Sequence, residues 1–305
     1  MGRRVARVGD PPRSLSRAGQ RRKGLTMQKS DLGQSAFRIA FGVLMAFIIL
    51  NVAAIVAVVA VNSFGTQWFT GWLPEAFTTS WYSRAWKEFQ LGDVLWTTAL
   101  AVGAVVLLSV LIGVPAAYVL ARVEFRGKRL VTLLFLLPLL VPPMTYGIPL
   151  ATVLYQVNLG GSLWGVILAN LVPCAPFVVM VMTPFIEQID TRVEVAARVF
   201  GAGTLTIFRR ILMPLLLPGI MAASLLVLVR TISMFELTFL TAGADSQTLV
   251  VALYYAVFAA GIRSAQSIDA MAVIYMLTTL VWVLIAFRFI DPTQMVGKVR
   301  VQKSS

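Results

Sequence analysis

Two groups of residues in this chain carry enough polarity to do chemistry. The first is a polar island, Glu187 to Met213, reading EQIDTRVEVAARVFGAGTLTIFRRILM and followed by Pro214. Thr191 with Glu194 three residues on fits a capping box, in which two side chains satisfy the open N–H groups of a helix start. Val193, Ala196, Ala197 and Phe200 follow the i, i+3, i+4, i+7 rule, which predicts one apolar helix face. Gly201 stands where a helix C-terminus takes a residue with positive φ. The island therefore reads as two short helices joined at Gly201-Ala202-Gly203. Small alanines beside a protruding aromatic suit docking into a groove on a soluble partner. The second group is Arg230 and Glu236, two ionisable residues within an apolar run. Charges at such depth are costly, and they mark substrate paths or subunit contacts. Six residues apart is about 600° of rotation on one helix, or about 240° net. The two side chains are expected to point to different sides and not to pair.

The elements that hold these groups are membrane spans. The chain has 305 residues, of which 58% are apolar and 13% charged. Globular domains carry about 25% charged residues, so an all-α polytopic membrane protein is predicted. Six stretches are long and apolar enough to cross a bilayer: 37–62, 94–121, 130–156, 163–186, 214–240 and 268–288. The predicted organisation is a basic tail without regular structure over 1–34, a membrane domain over 35–290 with the island 187–213 as a loop, and a second tail over 291–305. Of 26 Lys and Arg, 22 fall in the N-terminal stretch through Arg38, the 122–129 loop, the island and the C-terminal stretch from Arg288. Only Arg84, Lys87 and Arg263 fall on the other face. The positive-inside rule then puts both termini and the island in the cytoplasm. The net charge of +13 is accounted for by topology, which excludes nucleic acid as its target. The 1–34 tail is long enough to meet anionic lipid; an equal alternative is that translation starts at Met27.

Inside the spans, proline is the main irregularity. Span three holds Pro138, Pro142, Pro143 and Pro149, and span four holds Pro173 and Pro176. Each removes a backbone hydrogen bond, and broken helices at membrane depth face protein or a wet cavity. Pro142, Pro143 and the nearby Tyr146 are therefore candidates for a pathway lining, with irregular packing as the alternative. Leu249 to Ala260 is apolar but too short to span, which predicts a re-entrant or interfacial segment. Five of seven tryptophans (68, 72, 81, 86 and 96) cluster around the external loop 63–93. That pattern predicts an interfacial belt ahead of a substrate-facing lip. Counted as one helix from Pro214, span five carries Glu236 about 33 Å along, near the external end of the hydrocarbon.

Several chemistries lack their residues. The chain has no histidine and one cysteine, Cys174. It has no GxxxxGK[ST] phosphate loop, no nucleophile–base pair and no metal-ligand cluster. The scattered membrane carboxylates of ion-coupled transporters are missing too. No catalytic residue and no cofactor of its own are expected.

The island resembles the cytoplasmic loop of importer-type ABC transporter permeases. That family's pattern is Glu-Ala-Ala, three residues, Gly, nine residues, Ile-x-Leu-Pro. Ala196-Ala197, Gly201, Ile211 and Pro214 stand at that spacing. Val195 occupies the glutamate position, with Glu194 just before it, and Met213 replaces the leucine. The resemblance spans roughly residues 37–290. It implies a pathway subunit of the bacterial inner membrane, and it casts Glu194, Val195, Ala196, Ala197, Phe200, Gly201, Ile211 and Pro214 as the element that couples to an ATPase. The implied partners are a cytoplasmic ABC ATPase dimer that binds ATP and Mg, a second identical or homologous permease, and an extracytoplasmic substrate-binding protein. Ser63–Trp86, Leu136–Ala151 and Met234–Leu240 resemble the spermidine/putrescine-type permeases, which implies polyamine import. Permeases for sugars, iron(III) or thiamine are the alternatives within the family. An ion-coupled secondary transporter is the alternative outside it.

The topology has a direct test. In a Cys174→Ala background, single cysteines at positions 87 and 263 are expected to react with an impermeant thiol reagent in intact spheroplasts. Cysteines at 198 and 300 are expected to stay unlabelled until the membrane is opened. The reverse pattern would overturn the six-span arrangement.

Overall fold

Proline and glycine decide where the apolar runs of this chain bend and where they touch. The computed structural model describes residues 13–66, 71, 74–258 and 263–289, with side chains from Phe37 onward. The C-terminal tail 291–305, the Met1 start and the tryptophans at 68 and 72 lie outside the described residues.

The chain divides into two units, Met1–Val58 and Val59–Ser305. The first consists of most of α1, Arg13–Phe64. This helix begins inside the segment expected to be an irregular tail. From Pro12 to Pro74 the sequence has no proline to stop it, and Arg, Lys, Gln, Leu and Ala there are good helix formers. Its stretch Phe37–Phe64 is apolar and long enough to span.

The second unit contains every other helix of the described residues. Those are α2 (Ser80–Glu88), α3 (Leu91–Arg122), α4 (Lys128–Leu140), α5 (Pro143–Gln156), α6 (Leu163–Glu187), α7 (Thr191–Val199), α8 (Thr204–Ile207), α9 (Met213–Ile232), α10 (Glu236–Thr241), α11 (Leu249–Phe258) and α12 (Ala265–Phe289). A π-wound turn, Phe208–Leu212, joins α8 to α9. The core is built by α3, α6 and α9, which pack on one another. Val105, Val114, Val178, Met182, Ile186, Ile207, Leu212 and Leu216 are buried there. Contact between α3 and α6 depends on Gly113, where an added Cβ would stand 2.6 Å from Cβ of Val178. Small residues of this kind let membrane helices approach closely.

Two of the expected spans are not continuous. Span three is a pair, α4 and α5, bent by 100°. The bend lies at Val141-Pro142-Pro143. Val141 (φ −89°, ψ 135°) and Pro142 (φ −54°, ψ 134°) are both extended, because a residue before proline is pushed out of the helical region. Pro143 then opens α5, where its missing N–H costs nothing. Span five is likewise broken. Its helical run extends over Thr204–Ile232, starting ten residues before Pro214, and stops at Ser233. The second loop helix and the membrane span are thus one body. Pro214 is tolerated because the π turn before it already interrupts the i→i−4 ladder. With α3, α6, α1 and α12, these runs supply five straight spans, or six when the bent pair counts as one.

On the external side, the indole N–H of Trp81 donates to the Gly65 carbonyl at 2.8 Å. Arg263 pairs with Glu88 at 3.3 Å, and the Ser267 hydroxyl donates to the same carboxylate. Trp86 and Trp96 are exposed, as a belt requires. The short apolar segment is α11, held by the Leu249 N–H on the Thr98 hydroxyl at 2.8 Å.

The α3–α6 contact leaves no room for a side chain at position 113. Gly113→Val is expected to cost about 1–3 kcal/mol through overpacking. The measurement is the melting temperature of detergent-purified protein together with its level in membranes, and both should fall. An unchanged melting temperature would contradict this packing.

Candidate functional site

The polar island folds as two helices around Gly201, with one difference from the pattern read in the sequence. Asp190, rather than Thr191, is the N-cap of α7, and its carboxylate accepts the Arg192 N–H at 2.9 Å. The expected capping box is absent because Glu194 is turned the other way. It is the one buried residue of α7, 5% exposed. Its Oε1 lies 2.9 Å from Nε of Arg122, the last residue of α3. Its Oε2 accepts the Tyr118 hydroxyl at 2.9 Å. Arg122 also donates from Nη2 to the Ile189 carbonyl at 2.6 Å. A carboxylate carried from water needs this kind of pairing.

With Glu194 inward, the apolar residues of α7 face out. Ala197 alone of the predicted face packs on the core. Val193, Val195 and Ala196 are exposed, Val199 is 80% exposed and Phe200 91%. The helix is anchored by its acid and not by its apolar face. It ends in a Schellman arrangement: Gly201 (φ +80°) donates to Arg198 O at 2.9 Å and Ala202 donates to Ala197 O at 3.0 Å. Beyond it, Ile207 and Leu212 are fully buried, Ile211 is half-buried and Pro214 exposed. Phe208 packs edge-on against Tyr118, ring centroids 5.6 Å apart. Tyr118 thus touches both arms of the loop.

A second polar group surrounds the break in span five. Because α9 ends at Ile232 and α10 starts at Glu236, the single-helix placement of Arg230 and Glu236, and the 33 Å depth, do not hold. Tyr146 sits in the first turn of α5, set by the Pro142-Pro143 bend. The adjacent Gly147 lies against Leu237 and Leu240 of α10. Tyr146 is within electrostatic range of both Arg230 and Glu236. The Tyr146 hydroxyl and Arg230 Nε are buried without hydrogen-bond partners among the described residues. The Arg230 guanidinium lies 5.6 Å from the Phe177 ring centroid. Glu236 is half-buried and forms no hydrogen bond or ion pair among the described residues.

Sequence reasoning missed several neighbours. Asn170 of α6, 1% exposed, donates to Thr238 Oγ1 at 3.1 Å, and its own Oδ1 has no partner among the described residues. Cys174 lies 3.6 Å from the Thr231 hydroxyl. A lone asparagine in an apolar span was a readable signal for the first. Arg122 was counted only as a topogenic charge. No pattern in the sequence links it to a residue 72 positions away.

Residues 109–295 match the family described as binding-protein-dependent transport system inner membrane component. A probable molybdenum ABC transporter permease of Haloferax volcanii is 33% identical over 167 residues, 52% of this chain and 62% of that protein. The chain thus spans a little under two thirds of that relative. The spermidine/putrescine transport system permease PotC of Escherichia coli K12 is 25% identical over 230 residues, 75% of this chain and 85% of that one. Among solved structures, a bacterial ABC transporter that imports the polysaccharide alginate superposes with a TM-score of 0.66 at 18% identity, covering 87% of this chain and 96% of that chain. The methionine transporter MetNI in an inward-facing form gives 0.52 at 18% identity, covering 64% and 92%. At that identity the likeness is one of fold.

An added Cβ at Gly201 would meet nothing within 4 Å, so any penalty there comes from the backbone. Holding a β-branched residue at this φ costs roughly 1–2 kcal/mol. Gly201→Val is expected to insert normally and lose at least tenfold in transport, with Gly201→Asn losing much less. The check is solute uptake at matched membrane levels; wild-type uptake by the valine variant would remove this turn from the mechanism.

Proposed function

The chain belongs to the family of binding-protein-dependent transport system inner membrane components, as a multi-pass permease subunit of an ABC importer and not an enzyme, and on that premise we propose that it carries polyamines such as spermidine and putrescine. The ATPase is a separate subunit. In the proposed assembly an ABC ATPase dimer docks on the 187–213 loop from the cytoplasm. A second permease completes the pathway, and an extracytoplasmic binding protein delivers the solute. ATP-driven closure of the ATPases moves the loop and exposes the pathway to the other side.

Glu236 carries the substrate reading. A half-buried carboxylate with no ion pair among the described residues attracts a cation, and a neutral sugar would gain only hydrogen bonds from it. Beside it, Phe235 and Phe239 stack at 5.1 Å. Tyr254 lies 4.7 Å from Phe235 and 4.4 Å from Phe258. On α10 the Glu236 direction falls between the Phe235/Phe239 face and the Leu240 direction that meets Gly147. Aromatic faces attract ammonium groups by about 0.5–2 kcal/mol each. The likeness to PotC over most of both chains supports the same reading.

A second reading, an oxyanion such as molybdate, is favoured by one observation. Arg230 Nε is a buried donor with no hydrogen-bond partner among the described residues, and an anion would supply one. The 33% identity to a molybdenum permease points the same way.

Two substitutions separate these readings. For a polyamine, Glu236→Gln is expected to lower spermidine uptake about tenfold or more at unchanged expression, while Arg230→Gln has little effect. For an oxyanion the order reverses, with molybdate uptake lost in Arg230→Gln. Wild-type spermidine uptake by Glu236→Gln would overturn the polyamine reading.

A further inference from the structure

We propose that Arg122, Glu194 and Tyr118 form the strut through which movement of the 187–213 loop is delivered to α3, so that they are positioning residues for transport. The proposal rests on reading that loop as the ATPase contact, but not on the substrate. The carboxylate at this motif stands one position early. That shift of about 100° on α7 turns it from the outer face, now Val195, to the inner one. There it ends 2.9 Å from the guanidinium that terminates α3. The same guanidinium holds the Ile189 carbonyl just before α7. The Tyr118 hydroxyl takes the other carboxylate oxygen, and its ring bears on Phe208 in the π turn. Both arms of the loop are therefore tied to one helix turn, residues 118–122 of α3.

The remaining contacts of α7 are too few to transmit a push. Its outer residues are exposed, and α7 is nine residues long. The hydrogen bonds from Tyr118 to the Glu194 carboxylate and from Arg122 to the Ile189 carbonyl are directional and short, and the 2.9 Å ion pair adds attraction between the two helices, so a displaced α7 pulls α3 rather than sliding over it. Helix α3 in turn packs along α6 and α9, the helices that carry Asn170, Cys174 and Arg230. A small shift at the loop is passed to the polar group at the break because packed helices move as bodies. The outer face, left without its acid, is an apolar knob of Val195, Val199, Phe200 and Leu205. A matching apolar socket on the ATPase is the complement it requires.

The test separates transmission from scaffolding in the assembled complex, without relying on any substrate. A reporter cysteine at Glu236 (Glu236→Cys, Cys174→Ala) is labelled with an impermeant maleimide, with and without ATP and vanadate. In the parent complex, nucleotide trapping is expected to change the labelling rate about fivefold or more. In Glu194→Gln and in Arg122→Met, the ATPase is expected to co-purify and to trap nucleotide within about twofold of the parent, with labelling no longer responding. The exchanged pair, Arg122→Glu with Glu194→Arg, is expected to restore at least part of the response. Loss of the ATPase from the single variants would make the cluster a scaffold and overturn the strut, as would a full labelling response in Glu194→Gln. No response in the parent complex would instead overturn the loop and pathway reading beneath it. Spermidine uptake by the wild-type complex, with Glu236 in place, is measured separately and tests the polyamine reading alone.

Discussion

In hydrocarbon there is no water to satisfy a free amide, and that constraint organises this protein. Every spanning stretch must be helical, and every break must be repaired locally or faced toward protein. The two breaks follow that rule. At the first, Val141 N–H still reaches Leu137 O at 3.1 Å, and Thr145 N–H reaches Pro142 O at 3.0 Å. At the second, the Ser233 hydroxyl covers Val229 O at 2.9 Å, and Met234 N–H reaches Thr231 O at 3.2 Å. Helix α5 packs on α10, so the two irregular segments stabilise each other. Polar side chains are affordable where they meet: Tyr146, Asn170, Thr238, Arg230 and Glu236.

The same constraint explains why the polar group is small and incompletely paired. A buried ion in a membrane protein is costly unless it has a partner or water. Arg230 has the Phe177 face and little else within the described residues, and Glu236 has no ion pair there. On the proposed reading, such open groups suit the passage of a charged solute, since a solute can supply the missing interaction only if the protein has not already done so. Binding that is too complete would hold the solute and not release it.

At the cytoplasmic end the balance is different. Arg122 and Glu194 are paired and nearly closed off, so removing either would strand a charge at a cost of about 3–5 kcal/mol. Replacing both with apolar residues would cost far less, so stability alone is a weak reason to keep them. Direction and rigidity are the better reason. The pair fixes how α7 stands on α3, and it leaves Phe200 and Val199 projecting outward. One carboxylate, displaced by a single position, thus sets both what the loop holds inside the chain and what it offers outside.

Much of this was legible in the sequence, because membrane insertion leaves strong local marks. Length and lack of charge located the spans, the Lys and Arg distribution set their sense, and the glycine at 201 marked a turn whose φ is indeed positive. Proline density pointed to the region of the α4–α5 bend, though not to its 100° angle. The stop after Ile232 carried no proline or glycine, so span five read as unbroken and Glu236 was placed on the wrong geometry. The direction of Glu194 was also hidden. A Thr-x-x-Glu spacing satisfies a capping box locally, and only the presence of Arg122 and Tyr118 across the fold makes the inward rotamer better. Local periodicity and composition determined the helices, their order and the position of the loop. Which face of α7 is buried, where span five ends and which polar residues meet are settled by pairings between residues far apart in the chain, which arise only once α3, α6 and α9 have packed.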